Sequence, residues 1–247
     1  MRSGDEIDVQ PPLPGLPERS VPGRVRPMTC ALLGRCAASG QLGIGVVSSL
    51  LAVTSRCAFV QAQVGAVAIQ SMADPRLGPA ALKLLAGGYR PEAVLRAFDR
   101  TEEGFEYRQI AIVNERGATA VHSGSEAAGL CGAAQGEGCA AVCNRLVDPG
   151  VPELMVETFQ RAKGELADRL IAALHAAAAD GGAGTVRAAG LLVAESEPWP
   201  LVDLRIDWTD GDPVAELAHL WHLWRPQMRG YRDRALDPAS AVDPPPT

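Results

Sequence analysis

The chain is poor in aromatic side chains, 4% of its 247 residues, and its 23 basic residues fall short of its 29 acidic ones, for a formal net charge of −6. That balance disfavours a basic nucleic-acid-binding protein. Long apolar runs are missing too. The longest, Leu42 to Val53, is interrupted by Ser48 and Ser49 and falls short of the roughly 20 residues a membrane-spanning helix needs. The start lacks the continuous apolar core of a secretory signal. No CxxC pair, phosphate loop, HExxH or GxSxG occurs. The six cysteines, at 30, 36, 57, 131, 139 and 143, are therefore expected to be reduced thiols of a soluble, cytoplasmic protein. Cys131, Cys139 and Cys143 match no zinc-finger or ribbon spacing, so neither a metal nor a cofactor is implied. What the sequence does have is 47% hydrophobic residues, enough for one sizeable core.

Prolines at 11, 12, 14, 17, 22 and 27 mark residues 1–28 as a disordered leader or a mis-assigned start, with Met28 as the initiator, because the apolar pattern begins directly after it. Residues 225–247 end in DPASAVDPPPT and read as a Pro-rich tail, which leaves 29–224 as the folded domain. Within it, CALLGR and LGIGVVS flank a Ser39-Gly40 turn as a hairpin. VGAVAI (64–69) is apolar on both faces, as in a strand covered on both sides. Pro79 and Pro91 open two successive helices, and RQIAIV with ATAVH forms a second hairpin. Cys139 to Asn144 is a further strand. After Pro152 come two helices joined near Gly164, then strands at 190–194 and 201–206, then a helix capped by Asp212. Hairpins and paired helices, rather than alternating crossovers, predict an α+β fold: a four-layer αββα sandwich of two stacked antiparallel sheets.

Gly43-Ile44-Gly45 is not a dinucleotide loop, since Ser48 stands where the third glycine belongs and more strand follows. His219 and His222 flank a Trp-rich helical stripe and read as ordinary polar neighbours of it. Period-two alternation puts Asp203, Arg205 and Asp207 on one strand face. That face is either a solvated, salt-bridged one or a strip lining a cleft, where the guanidinium would grip a substrate carboxylate. Thr29 carries the sharper chemistry. A chain beginning there would combine a hydroxyl nucleophile with an α-amine of pKa about 8 as its general base.

Five stretches, MTCALLGR, QLGIGVVSSLLAV, VGAVAIQSMADPRLGPAAL, YRQIAIVNERGATAVHSG and VDLRID followed by DPVAELAHL, together resemble the domain-of-unknown-function 1028 family of bacterial proteins, classed with the N-terminal-nucleophile (Ntn) hydrolase-like fold. The resemblance covers residues 28 to about 220. It implies the stacked-sheet sandwich and a chain start at Met28-Thr29. It also points to Gln70, Asp74, Arg76, Arg108, Gln109, His122, Asn144, Asp203, Arg205 and Asp207 as positions around the cleft. The chain departs from the family pattern at Ser49, at Cys143 and in GTVRAAG (184–190). The activity implied is hydrolysis of a small amide or related C–N bond, with Thr29 as nucleophile, Asn144 or backbone N–H groups on the oxyanion, and Arg76 or Arg205 anchoring an acidic substrate. The alternative is a non-catalytic protein that binds a small metabolite on the same fold. The partner expected is a small molecule rather than nucleic acid or a membrane. A homodimer is compatible with the sequence but not required by it.

Overall fold

The computed structural model describes residues 27–180 and 185–240. Most of the leader, residues 1–26, and the last seven residues of the tail lie outside the described residues. Thr29–Arg35 (β1) and Leu42–Ser48 (β2) form the expected hairpin, which turns where Gly40 takes a φ of 74°. Val53–Cys57 (α1) and Ala58–Gln61 (β3) follow, then Gly65–Ser71 (β4), Leu77–Ala86 (α2) and Pro91–Thr101 (α3). Arg108–Asn114 (β5) and Thr119–Ser123 (β6) make the second hairpin, followed by Gly132–Gly136 (β7) and Cys139–Asn144 (β8). Val151–Arg161 (α4) and Leu166–Asp180 (α5) are separated by Gly164, whose φ is 108°. Ala188–Ala194 (β9), Val202–Ile206 (β10), Pro213–Trp224 (α6) and Met228–Leu236 (α7) complete the described chain. Asp212 caps α6 by accepting from the Val214 and Ala215 amides.

The strands form two antiparallel sheets, one in the order β10-β9-β2-β1-β8-β7 and one in the order β3-β4-β5-β6. Alternation explains why strands such as β4 are apolar on both faces. Its Val67 and Ile69 pack with Leu82 and Leu85 of α2 and Val94 and Phe98 of α3. Its Ala66 and Ala68 face the other sheet, where they meet Ala31, Leu33, Ile44 and Val142. Likewise Cys30 and Leu32 of β1 pack with Met155 and Phe159 of α4 and Leu170 and Leu174 of α5. Each sheet is thus buried on both sides, and small inner residues let the two approach closely.

Several features differ from the sequence reading, α1 and β3 among them, since neither was expected. Cys30 and Cys143 are joined by a disulfide, which corrects the expectation of six reduced thiols. The register of β1 on β8 sets the two residues directly opposite each other, with Cα atoms 4.1 Å apart. The chain also stays ordered past Trp224: Met228 at the start of α7 is buried in the same core as α5 and α6, so packed structure continues beyond residue 224. Finally, β7 (GAAQG) has none of the β-branched or aromatic residues that mark strands, and it is held as one only by pairing with β8. Among the described residues, no helix is long and apolar enough to cross a membrane.

Candidate functional site

The buried part of the layer between the two sheets is apolar except at one end. There the last inward-facing position of five strands is polar: Thr29 on β1, Ser48 on β2, Gln70 on β4, Gln109 on β5 and Asn144 on β8, all 6% exposed or less. Register brings them together. Thr29 pairs with Ser48 on one side and with Asn144 on the other, and Gln70 pairs with Gln109 in the facing sheet.

Hydrogen bonds knit the cluster. Gln70 Nε2 donates to Gln109 Oε1 at 2.7 Å and reaches across to the carbonyls of Thr29 and Val142 at 3.3 and 3.1 Å. Gln109 Nε2 serves Ser123 Oγ and the carbonyls of Gly132 and Cys143, and Gln109 Oε1 also accepts from Asn144 Nδ2 at 3.3 Å. Gln70 Oε1 is buried with no partner, an acceptor open to a further donor.

The Thr29 hydroxyl lies 2.9 Å from Ser48 Oγ. Ser48 spends its single proton on the Met28 carbonyl at 3.0 Å and accepts from the Leu50 amide at 3.0 Å. The proton between the two hydroxyls therefore belongs to Thr29, and the Thr29 oxygen keeps its lone pairs available. The Ser49 amide also donates to the Met28 carbonyl, at 3.0 Å, so that oxygen is held by two donors. Met28 itself is fully buried, on the opposite face of β1 from Thr29, in the core that contains Cys30, Val47 and Leu146. In the chain as it stands, the Thr29 nitrogen is a peptide nitrogen and Met28 seals that side of it.

Not every residue expected at the cleft comes to this end. His122 pairs with Ile110, so it faces the α2–α3 side, where it stacks on Phe105 at 3.9 Å between ring centroids. Asp203, Arg205 and Asp207 lie on or just beyond β10, three strands from β1, or about 14 Å at ordinary strand spacing. Arg205 grips Asp203 through two hydrogen bonds at 2.6 and 2.9 Å, which is the salt-bridged strand face. Arg76 leaves the β4 end in an exposed loop and forks onto Asp74. Arg108 contributes to the same charge group, lowering the Asp74 carboxyl through space. Ser48, conversely, was not singled out from the sequence. The signal for it was there, since it is the one polar residue closing the run LGIGVVS on the face of Ile44 and Val46.

The Arg76 fork holds the Asp74 carboxyl at about 2, below its ordinary range. A depressed carboxyl stabilises the fold above about pH 4 and loses that contribution as pH falls toward 2. Arg76→Ala is expected to raise the Asp74 carboxyl toward the ordinary carboxylate range, with Arg108 still lowering it, read from the pH dependence of its side-chain carbon shift. Because the Arg76 side chain is 87% exposed, solvent screens the pair and the change in stability should be small. Elsewhere burial pushes the thiols of Cys57 and Cys139 up to about 11, so neither is a nucleophile at neutral pH.

Two surface depressions lie away from the cluster. One, of about 270 Å3, is lined by Asp168 and Ile171 of α5 and Ala218, Trp221 and His222 of α6. The other is shallow and lies beside Glu195, Trp199 and Arg232. Neither is bordered by Thr29.

Among solved structures, the chain is similar to protein SPO2555 from Silicibacter pomeroyi, described by the DUF1028 family model, at 26% identity over 79% of this chain and 88% of that one, with a TM-score of 0.73. It also aligns with Anbu, an ancestral β-subunit, from Yersinia bercovieri, over 89% of this chain and 100% of that one. At 9% identity and a TM-score of 0.34, that likeness is too loose to bear on fold or function. No curated protein matches the chain. The model of the family of unknown function DUF1028 matches residues 29–217, and the chain belongs to that family.

Proposed function

We propose that the two sheets, with helices packed on their outer faces, form the αββα sandwich of N-terminal-nucleophile hydrolases, and that the protein hydrolyses a small amide or related C–N bond with Thr29 as its nucleophile. The observation that carries this reading is the polar end of an otherwise apolar buried layer between the sheets, with the Thr29 hydroxyl at its edge, 2.9 Å from Ser48 Oγ. Once the chain begins at Thr29, the α-amine lies next to the hydroxyl of the same residue and takes its proton as the oxygen attacks the substrate carbonyl. The protonated amine then gives that proton to the leaving nitrogen, and water hydrolyses the resulting ester. Asn144 and Gln109 fix the site from below rather than touching the attacked carbon, because the Asn144 amide is turned to Gln109.

One observation favours a second reading. Met28 is fully buried and bonded at both ends of its backbone, its nitrogen donating to Ser49 Oγ at 3.2 Å. A protein that keeps Met28 has no free amine at Thr29, and on that reading it would bind a small metabolite without turning it over. Intact mass and N-terminal sequencing of the protein purified from its own cells separate the two. The hydrolase reading expects Thr29 as the first residue; a chain that still carries Met28 removes the base and leaves the binding reading.

A further inference from the structure

Resting on the hydrolase reading above, we infer that Ser48 is a catalytic residue: the relay through which the Thr29 hydroxyl proton reaches the α-amine. Ser48 Oγ donates to the Met28 carbonyl at 3.0 Å, accepts from the Leu50 amide at 3.0 Å and lies 2.9 Å from the Thr29 hydroxyl, which therefore donates to it. The protons along this line all point one way, from Thr29 Oγ to Ser48 Oγ to the Met28 carbonyl oxygen. That oxygen is two bonds from the Thr29 nitrogen, so a line that begins on the nucleophile comes back toward the nitrogen of the same residue.

In a chain that begins at Thr29 the Met28 carbonyl is gone and the Thr29 nitrogen is an amine. Ser48 is 0% exposed, so its proton, having lost that acceptor, needs another. The acceptor newly created at that end of the line is the amine, whose pKa of about 8 leaves a share of it neutral, with its lone pair free, near neutral pH. The Leu50 amide goes on holding Ser48 Oγ in place. Direct transfer from the Thr29 hydroxyl to its own amine closes a five-membered ring and bends the O–H···N angle toward the roughly 120° below which hydrogen bonds weaken steeply, whereas passage through Ser48 closes a wider, seven-membered one. As the Thr29 oxygen bonds to the substrate carbon, its proton passes to Ser48 Oγ while the Ser48 proton passes to the amine. Ser48 ends neutral, and the amine, now an ammonium, gives the proton to the leaving nitrogen as the C–N bond breaks.

The test uses protein whose mass shows that it begins at Thr29, with para-nitrophenyl acetate as the probe. The burst of para-nitrophenolate reports acetylation, and peptide mass after an acid quench places the hydroxylamine-labile acetyl ester. Followed against the deuterium fraction of the solvent, the burst rate traces a bowed curve when two protons move in the step and a straight line when one does. The relay predicts a bowed curve for the parent and, for Ser48→Ala, a straight line with a burst about a hundredfold slower. A merely structural role for Ser48 would slow the burst without changing the shape of that dependence. A straight line in the parent, a bowed one in Ser48→Ala, or a variant burst within about twofold of the parent overturns the relay while the Thr29 mechanism stands. Should Ser48→Ala fail to fold, the parent's curve decides by itself. Absence of an acetyl ester on Thr29 in the parent overturns the hydrolase reading and the relay with it.

Discussion

Replacing Thr29 by alanine in protein that begins at that position is expected to lower turnover at least about a thousandfold while moving stability by no more than about 1 kcal/mol. The two effects separate because of what the hydroxyl touches. Its one hydrogen bond is to Ser48 Oγ, and Ser48 keeps its bond from the Leu50 amide when that contact goes. The methyl of alanine leaves the strand pairing of Thr29 with Ser48 and Asn144 intact. Thr29→Ser retains the nucleophile and should keep turnover within about tenfold of the parent, which a packing role for the threonine methyl would not explain. Measuring kcat and thermal midpoint for both variants decides it. Unchanged turnover in Thr29→Ala would mean that the hydroxyl does not react.

Much of the fold was legible because alternation and helix punctuation are local. The run VGAVAI announces a strand covered on both faces, Pro79 and Pro91 announce successive helices, and Asp212 announces a cap; all three hold. The site was legible only in part because its members come from five strands in two sheets. Thr29 was reached from its place after Met28, and Gln70 and Asn144 through the resemblance, while Ser48 and the central part played by Gln109 depend on register. Register also explains the misplacement of His122. A one-residue slip in the β5–β6 hairpin would turn it from the Phe105 side to the Gln109 side, and sequence does not fix that slip. The Asp203–Arg205 strip was correctly seen as one face, but the strand order that sets it three strands from Thr29 is a property of the whole sheet. For the same reason the Cys30–Cys143 pairing was hidden: β1 and β8 are neighbours in space across a sequence separation of 113 residues.

Gln109→Leu should cost about 3–5 kcal/mol of stability, the largest loss expected from any single change in the polar cluster. Gln109 is fully buried and is the hub through which the two sheets hold each other at this end. Its amide nitrogen serves Ser123 Oγ on the neighbouring strand and the carbonyls of Gly132 and Cys143 on the opposite sheet, and its oxygen receives Gln70 and Asn144. Leucine has nearly the same volume, so the cost is not one of packing. It arises because the Asn144 amide loses the bond it makes to the hub and the buried Cys143 carbonyl loses a donor. The size of the loss is read from the urea midpoint at unchanged slope. If the cost comes from stranded polar groups, removing a second one should return part of it. Gln70→Leu combined with Gln109→Leu is then expected to cost less than the sum of the two single changes, by about 1 kcal/mol or more. Strictly additive costs would mean that the glutamines act separately, and the Thr29 backbone would not be positioned through a shared network.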